Sequence, residues 1–195
     1  MRQSAKYLVR EDASTYHTYY MDVQTGEPRF GKTQQGYADD SCWSRGQAWG
    51  IYGFMLSFLY TGDKELISLS KKLANYFLNR LPEDAICHWD LALVGTDALR
   101  DSSSAAIAVC GLLELVKHLP TTDPDRERYQ QWAMGIMSSL SKNYLMGLDE
   151  PGTGVLKHSV YHFASDKGVD ECCSWGDYFY VEALVRMTQS WKLYW

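Results

Sequence analysis

The sequence predicts an all-α protein built from helical hairpins, with a small β-ribbon near residues 16–31. Apolar residues recur at the three- and four-residue spacing of a helix in several segments. Short turns and long loops alternate between these segments, which is typical of stacked hairpins whose long loops gather on one face. An extended pattern is present only in the aromatic stretch around residues 16–31.

The first forty residues divide into a helical part and an irregular part. Residues 1–9 have apolar positions at helical spacing but no capping residue before them, which predicts the end of a helix. Residues 10–40 are rich in Gly, Thr, Tyr and Gln, and the run 22–28 predicts a turn between two short extended pieces.

The next helix is predicted over residues 42–60. Asp40 or Ser41 is expected to cap its first turn, and Gly62 is expected to end it. Its small residues recur every three or four positions and therefore form one stripe: Gly46, Gly50, Gly53 and Ser57. Each interior glycine costs about 0.5–1 kcal/mol relative to alanine, so we expect another helix or a ligand to lie close against this stripe.

A second face of this helix carries Arg45, Trp49 and Tyr52. A guanidinium one turn from an indole suits a ligand with an apolar sugar face and a carboxylate, which arginine binds with two parallel hydrogen bonds. The alternative is a buried helix in which Arg45 forms a structural ion pair. The residues alone leave both interpretations open.

Four further helices follow along the chain. They are predicted over residues 64–80, 102–117, 124–145 and from 175 onwards, separated by long loops at 81–101 and 147–174. The expected N-terminal caps are Asp63, Ser102 or Asp101, Asp123, and Ser174 with Asp177 three residues later. In the last helix, the residues expected to face inward are Leu184, Met187 and Trp191.

Composition excludes several classes of function. The chain of 195 residues has a formal charge of −5 and a pI near 5.5, which argues against nucleic-acid partners and anionic membrane surfaces. No apolar run reaches the roughly 18 residues of a membrane span, and no signal peptide is recognisable. The five cysteines form no metal-binding pattern, so we expect no metal, no cofactor and a reduced, cytoplasmic protein.

The run Trp43–Gly50, read WSRGQAWG, resembles the signature of unsaturated glucuronyl hydrolases (glycoside hydrolase family 88). The resemblance extends from Tyr7–Asp12 to Ser174–Tyr178. It implies an (α/α)6 barrel, of which residues 1–195 would be one partial domain, the C-terminal half. Unsaturated rhamnogalacturonyl hydrolases (family 105) share the Trp-x-Arg-Gly opening but usually differ at the positions of Gln47 and Ala48.

This resemblance implies protonation and hydration of the C4=C5 double bond of a 4,5-unsaturated glucuronic acid, followed by loss of the neighbouring sugar. The implied substrates are unsaturated disaccharides from glycosaminoglycans. The family's acid/base aspartate and a supporting aspartate lie before the matched region, so no certain catalytic residue is expected here. His17 would be an auxiliary group beside the acid.

The resemblance also implies a set of substrate-binding residues. His17 and Gln35 match sugar-contacting positions, Arg45 matches the residue near the uronate carboxylate, and Trp49 matches the stacking aromatic. On a later loop, Tyr161, Ser165 and Lys167 are further candidates for substrate binding, and the Ser-x-Lys pair of Ser165 and Lys167 resembles an element that holds a sulfate on the neighbouring amino sugar. The alternatives are a loop histidine capping backbone at His17 and a solvated lysine at Lys167.

Other interpretations follow from the same residues. Asp90, beside Trp89 and His88, is the carboxylate most able to substitute for the missing acid. The rival functions are a non-catalytic carbohydrate-binding fragment, a family-105-type enzyme and a purely structural hairpin array. Half a barrel would expose a large apolar surface, so we expect the chain to self-associate or to be marginally stable.

Overall fold

The computed structural model describes residues 1–190 and confirms a mainly helical fold. Within that range, the helices are α1 (Arg2–Leu8), α2 (Ser44–Thr61), α3 (Glu65–Leu78), α4 (Ser102–His118), α5 (Pro124–Asn143) and α6 (Ser174–Thr188). Helix α2 packs against α3 and α4, and α4 packs against α5 and α6. The helices therefore form an inner row of α2, α4 and α6 backed by α3 and α5.

The three inner helices run in the same direction, because their N-terminal ends meet. Ser44 Oγ of α2 lies 3.0 Å from Ser104 Oγ of α4, and Trp175 Nε1 of α6 donates to Ser103 Oγ at 3.3 Å. Further along, a Cβ atom placed at Gly111 of α4 would lie 3.0 Å from the backbone nitrogen of Tyr52. Only glycine allows α2 and α4 to approach this closely.

The predicted β-ribbon is present. Strands β1 (Thr18–Met21) and β2 (Pro28–Lys32) pair antiparallel, with Thr18 opposite Lys32. The carboxylate of Asp22 accepts the N–H groups of Gln24 and Thr25 in the connecting turn. Gly26 completes that turn with a φ of 73°, which is the left-handed region that glycine adopts without strain.

A second ribbon was not predicted. Strands β3 (Ser159–His162) and β4 (Lys167–Glu171) pair antiparallel around a 3₁₀ turn at Phe163–Ser165. The register shifts between Ser159 and Val160, and the two strands have only four and five residues. This irregularity removes the period-two alternation on which a strand prediction depends.

Two of the predicted helix caps are confirmed. Asp101 accepts the N–H groups of Ser103 and Ser104 at the start of α4, and Asp123 accepts that of Asp125 at the start of α5. Gly62 ends α2 in the left-handed conformation, with its N–H donating to the carbonyl of Phe58.

The predicted caps of α2 and α6 are wrong. The first-turn N–H of Ser44 donates instead to the carbonyl of Trp89, while the hydroxyl of Ser41 donates to the Asp90 carboxylate. At α6, Asp177 accepts the backbone N–H groups of Val155 and Leu156 rather than returning to the helix start. At α2 a distant loop accepts the helix N–H that a local side chain was expected to accept. At α6 a distant loop donates to the Asp177 carboxylate that was expected to bond to the start of the helix.

The inward face of α6 also differs from the prediction. Leu184 and Met187 are exposed, whereas Phe179, Tyr180 and Ala183 are buried. Trp191, the third predicted inward residue, lies outside the described residues. The buried face of α6 is therefore rotated from the predicted one and packs on α4, with Tyr180 reaching Ser141 of α5.

A buried charged cluster joins the three inner helices. Arg186 of α6 donates from Nε to Glu182 Oε1 at 2.8 Å, from Nη2 to the Tyr52 hydroxyl of α2 at 2.7 Å, and from Nη1 to Glu114 of α4. The Tyr52 hydroxyl donates to Glu182 Oε1 at 2.6 Å. The Arg186 and Glu114 side chains are each only 2% exposed, so this pairing occurs away from water.

Within residues 1–190, none of the helices combines the length and apolar character that a bilayer span requires.

Candidate active-site region

The candidate residues gather at the end of the inner row where the helix N-termini and the long loops meet. Arg45 lies in the first turn of α2 and is almost fully buried. Its Nη1 donates to Asp101 Oδ2 at 2.9 Å and to the Val160 carbonyl at 2.8 Å, and its Nη2 donates to the Tyr161 carbonyl at 2.9 Å. Arg45 thus ties α2 to the start of α4 and to β3.

The guanidinium of Arg45 also lies between two indoles. Its central carbon is 4.7 Å from the ring centre of Trp43 and 5.3 Å from that of Trp175, which are cation–π distances. The bond to Asp101 is the structural ion pair that the sequence had left open as an alternative for Arg45. The sequence did not identify Trp43 and Trp175 as its neighbours, because Trp175 is distant along the chain.

Asp101 serves as both a helix cap and a buried counter-ion. Its two oxygens accept the N–H groups and hydroxyls of Ser103 and Ser104 as well as the Arg45 guanidinium. A carboxylate at a helix N-terminus also interacts favourably with the helix dipole. The cap could be predicted from the sequence, but the ion pair joins residues 56 positions apart and has no local signal.

The ring orientation of His17 is fixed by the loop before α2. Its Nδ1 accepts the backbone N–H groups of Gln34 and Gln35, both at 3.1 Å, and its ring lies 4.3 Å from the Trp43 ring. Accepting at Nδ1 places the proton of the neutral ring on Nε2. The alternative considered for His17, a histidine that caps backbone groups, is therefore true of Nδ1 but leaves the role of Nε2 open.

Burial and the electrostatic influence of Arg45 and His162 lower the pKa of His17 below its ordinary value of 6.5. We expect NMR titration of the imidazole nitrogens to show this lowered pKa and an Nε2–H tautomer. Because the unfolded chain binds the proton more readily, the contribution of His17 to stability is fully present above about pH 6.5 and is lost as the pH falls from there through the lower pKa of the folded state. A His17→Gln variant should lose this part of the pH dependence, and a His17 pKa above 6.5 would contradict the assignment.

Trp49 and His17 line one cavity between α1 and α2. This cavity has a volume of about 350 Å³, and its other lining residues include Leu8, Trp43 and Gly53. Trp49 is 36% exposed, and its ring meets that of Phe179 edge to face at 5.1 Å. An indole held in this way presents an apolar surface beside the His17 ring.

Gln35 and Tyr161 connect the first loop to the second ribbon. Gln35 Nε2 donates to the Tyr161 carbonyl at 2.8 Å, the same oxygen that Arg45 binds. The Tyr161 ring is exposed and lies 5.4 Å from the Trp175 ring. The structure therefore brings His17, Gln35, Arg45 and Tyr161 together through direct contacts.

Ser165 and Lys167 lie further out, on the ribbon turn. Both are exposed, with Ser165 in the 3₁₀ turn and Lys167 opening β4 opposite His162. The turn is anchored by Phe163, whose ring stacks on that of Trp89 at 4.5 Å. His162, which no pattern in the sequence singled out, has a buried Nδ1 without a hydrogen-bond partner among residues 1–190.

No family model matches the chain. It is 49% identical over 193 residues to an unsaturated chondroitin disaccharide hydrolase of Streptococcus pneumoniae R6, and 40% identical over 194 residues to an unsaturated glucuronyl hydrolase of Bacillus sp. GL1. The chain superposes on a crystal structure of the Streptococcus agalactiae unsaturated glucuronyl hydrolase with a TM-score of 0.94, covering 98% of this chain. The chain is homologous to one half of the unsaturated glucuronyl hydrolases.

The match covers half of each relative. This chain spans 49% of the S. pneumoniae protein and 52% of the Bacillus protein. A structure of the Bacillus enzyme, described as responsible for the degradation of glycosaminoglycan, matches with a TM-score of 0.92 over 96% of this chain. A mutant of the S. agalactiae enzyme has been solved in complex with dGlcA-GalNAc6S, and this chain covers 50% of it with a TM-score of 0.87. These unsaturated glucuronyl hydrolases share the helical fold described above.

Asp90, the candidate substitute acid, has no exposed surface. Its Oδ2 accepts the Tyr37 N–H and the Ser41 hydroxyl, and its Oδ1 accepts the N–H groups of Cys42 and Ala92. Four donors on a buried carboxylate hold together the loops around the start of α2. Within residues 1–190, no group of three or more His, Cys, Asp or Glu side chains is arranged to hold a metal ion.

Proposed function

We propose that this chain provides the substrate-binding half of a hydrolase that removes 4,5-unsaturated glucuronic acid from glycosaminoglycan-derived disaccharides. The observation that carries this proposal is the 49% identity, over 98% of the chain, to unsaturated chondroitin disaccharide hydrolases. The grouping of His17, Arg45 and Tyr161 at the loop end supports it, because these are the residues to which the resemblance gives sugar-binding roles.

The proposed reaction adds water across a vinyl ether. A proton goes to C4, the oxygen of a water molecule bonds to C5 and loses its proton to the acid/base group, and the resulting hemiketal opens with release of the neighbouring sugar. The proton must come from a group with a suitable pKa in the site. Asp90 and Asp101 are each buried and bound by several donors, so we place the acid/base carboxylate in the half of the relatives that lies outside the match.

In this proposal each site residue has a role that fits its environment. The Nε2–H of His17 donates to a sugar hydroxyl, and the exposed face of Trp49 stacks on the apolar side of a sugar ring. The buried Arg45 supplies positive charge beneath the uronate carboxylate and holds Gln35 and Tyr161 in place through the shared Tyr161 carbonyl. Direct binding of the carboxylate by Arg45 would compete with Asp101 and the two carbonyls.

The outer residues Ser165 and Lys167 are proposed to contact a sulfate on the neighbouring amino sugar. Both are exposed on the ribbon turn, where an ammonium and a hydroxyl can reach an anionic group. The ribbon is held close to the site by the bonds from Arg45 to Val160 and Tyr161. The complex of the S. agalactiae relative with dGlcA-GalNAc6S supports a sulfated substrate class for this family.

The test follows the loss of ultraviolet absorbance as the conjugated double bond of an unsaturated chondroitin disaccharide is hydrated. We expect no turnover by this chain alone, and turnover by a single chain that joins it to the unmatched half of the S. pneumoniae relative. In the joined chain, Trp49→Ala should raise KM, because stacking on a sugar is lost. Failure of the joined chain to consume the disaccharide, or turnover by the short chain, would contradict the proposal.

One rival keeps a specific observation in its favour. The carboxylates of Asp90 and Asp101 are saturated by protein donors, as expected of a carbohydrate-binding fragment without catalysis. Calorimetric binding of the disaccharide to this chain, with no turnover by the joined chain, would favour that rival.

We also propose one partial (α/α)6-barrel domain over residues 1–195, a cytoplasmic location in a bacterium, and no nucleic-acid or membrane partner. All five cysteines are free thiols, which supports a reducing compartment. Copies of the chain are proposed to self-associate through the exposed apolar surface when nothing else covers it.

A further inference from the structure

The first β-ribbon, formed by β1 and β2, has one packed face and one outward face. We propose that the outward face binds the third sugar of an acidic unsaturated oligosaccharide, beyond the two sugars of the disaccharide. This inference rests on the proposed function for the place of the first two sugars, and its test measures binding separately from turnover.

The packed face of the ribbon lies against residues that precede it in the chain. Tyr19 and Gly31 are opposite each other on this face. The Tyr19 ring meets the rings of Tyr7 and Tyr16 at 5.3 and 5.9 Å, and a Cβ atom placed at Gly31 would overlap the Tyr16 ring. Glycine therefore lets the ribbon pack closely on Tyr16, and this packing fixes which face is turned outward.

The outward face carries two aromatic rings and a lysine. Successive residues of a strand point to opposite faces, so the opposing pairs Tyr20–Phe30 and Thr18–Lys32 share this face. The rings of Tyr20 and Phe30 stack at 5.2 Å, and these residues are 40% and 45% exposed. Exposed apolar surface rimmed by polar groups is typical of a ligand-binding site.

The charges beside these rings favour an anionic ligand. Lys32 is exposed, and among residues 1–190 no carboxylate forms an ion pair with its ammonium. On the other side, the guanidinium carbon of Arg29 lies 5.5 Å from the centre of the Phe30 ring. Chondroitin alternates a uronic acid with an amino sugar, so the third sugar of an unsaturated fragment again carries a carboxylate. Its ring can stack on the aromatic pair while a cation binds the carboxylate.

Gln34 joins the outward face to the candidate site. Its Nε2 donates to the Tyr20 hydroxyl at 3.0 Å, and its backbone N–H donates to His17 Nδ1 at 3.1 Å. The next residue, Gln35, donates to the Tyr161 carbonyl of the second ribbon. These two glutamines bridge the two ribbons beside His17, and a sugar chain longer than a disaccharide reaches the outward face across this bridge.

The experiment uses calorimetry to compare the binding of an unsulfated unsaturated chondroitin disaccharide and tetrasaccharide to this chain. Without sulfate, the proposed sulfate contacts of Ser165 and Lys167 do not contribute. We expect the tetrasaccharide to bind about tenfold more tightly. Phe30→Ala should reduce this preference to less than about twofold, because the stacking surface is lost. The matched control is Tyr60→Ala at the other end of α2, which removes a residue that is 70% exposed and should keep the preference.

A second pair of variants tests the charge. Lys32→Gln should weaken binding of the tetrasaccharide by about threefold and reduce its dependence on salt concentration. Lys72→Gln, which changes an exposed lysine on the outer helix α3, should alter neither. Lys32→Gln also decides the matter if Phe30→Ala does not fold, because the lysine side chain is exposed.

Three results would overturn the inference: equal binding of the two sugars by the wild-type chain, no binding of the tetrasaccharide, or wild-type behaviour of a folded Phe30→Ala or of Lys32→Gln. If the preference is present but the joined chain does not hydrate the disaccharide, the third-sugar site stands and the proposed function fails. If the joined chain hydrates the disaccharide while this chain shows no preference for the tetrasaccharide, the proposed function stands and the third-sugar site fails.

Discussion

Replacing Arg186 with methionine should lower the free energy of unfolding by about 3–5 kcal/mol at pH 7. The guanidinium is the shared donor for Glu114 of α4, Glu182 of α6 and the Tyr52 hydroxyl of α2. Methionine fills a similar volume but removes the buried cation shared by two carboxylates that are each about 2% exposed or less, leaving Glu114 only its more exposed neighbours Lys117 and His118. Urea denaturation of the variant and the wild-type chain measures the loss.

The control for this prediction is Lys117→Met. Lys117 Nζ lies 3.6 Å from Glu114 Oε2, but its side chain is 50% exposed, so water already solvates the charge. An exposed ion pair contributes about 0–1 kcal/mol, and the control should therefore fall within that range. Equal losses in the two variants would show that burial of the cluster does not matter.

The pH dependence should change sign in the Arg186→Met variant. Burial raises the pKa of Glu114, but in the wild-type chain the bonds and charge of Arg186, with smaller contributions from Lys117 and His118, outweigh burial and hold that pKa below its ordinary 4.5. This depressed pKa contributes stability that is present above about pH 4.5 and is lost as the pH falls through the folded pKa. Without Arg186, burial dominates and raises the pKa, so acidification from pH 7 should restore stability to the variant.

Local signals in the sequence predicted the parts of the fold that depend on neighbouring residues. Asp101 and Asp123 were recognised as caps because a cap needs only the two or three residues that follow it. The same reasoning failed for α2, where the Ser44 N–H donates to the Trp89 carbonyl, and for α6, where Asp177 accepts the N–H of Val155. Tertiary partners replaced the local ones, and nothing in the adjacent residues indicates this.

The candidate site shows the same division. The signature around Arg45 identified the helix and one of its faces, but the sequence could not show that Asp101, 56 residues away, takes up the guanidinium. The second ribbon was missed because its strands are short and their register shifts. Its absence from the prediction also hid His162, whose charge is one of the causes that lower the pKa of His17.

Replacing Arg45 with methionine should cost about 3–5 kcal/mol, because it leaves the Asp101 carboxylate buried without its counter-ion. The loss should be accompanied by faster amide hydrogen exchange in β3, since Arg45 holds the carbonyls of Val160 and Tyr161.

Arg2→Met provides the contrast for Arg45→Met. Arg2 pairs with Asp63, but its side chain is 84% exposed, so we expect a loss of about 1 kcal/mol or less and unchanged exchange in β3. Arg45→Lys keeps the charge but not the planar fork, which cannot be replaced where Asp101 and two carbonyls are bound together. If Arg45→Lys matches the wild-type chain in both stability and β3 exchange, charge alone suffices. If it behaves like Arg45→Met, the geometry of the guanidinium is what joins α2, α4 and the ribbon that carries Tyr161, Ser165 and Lys167.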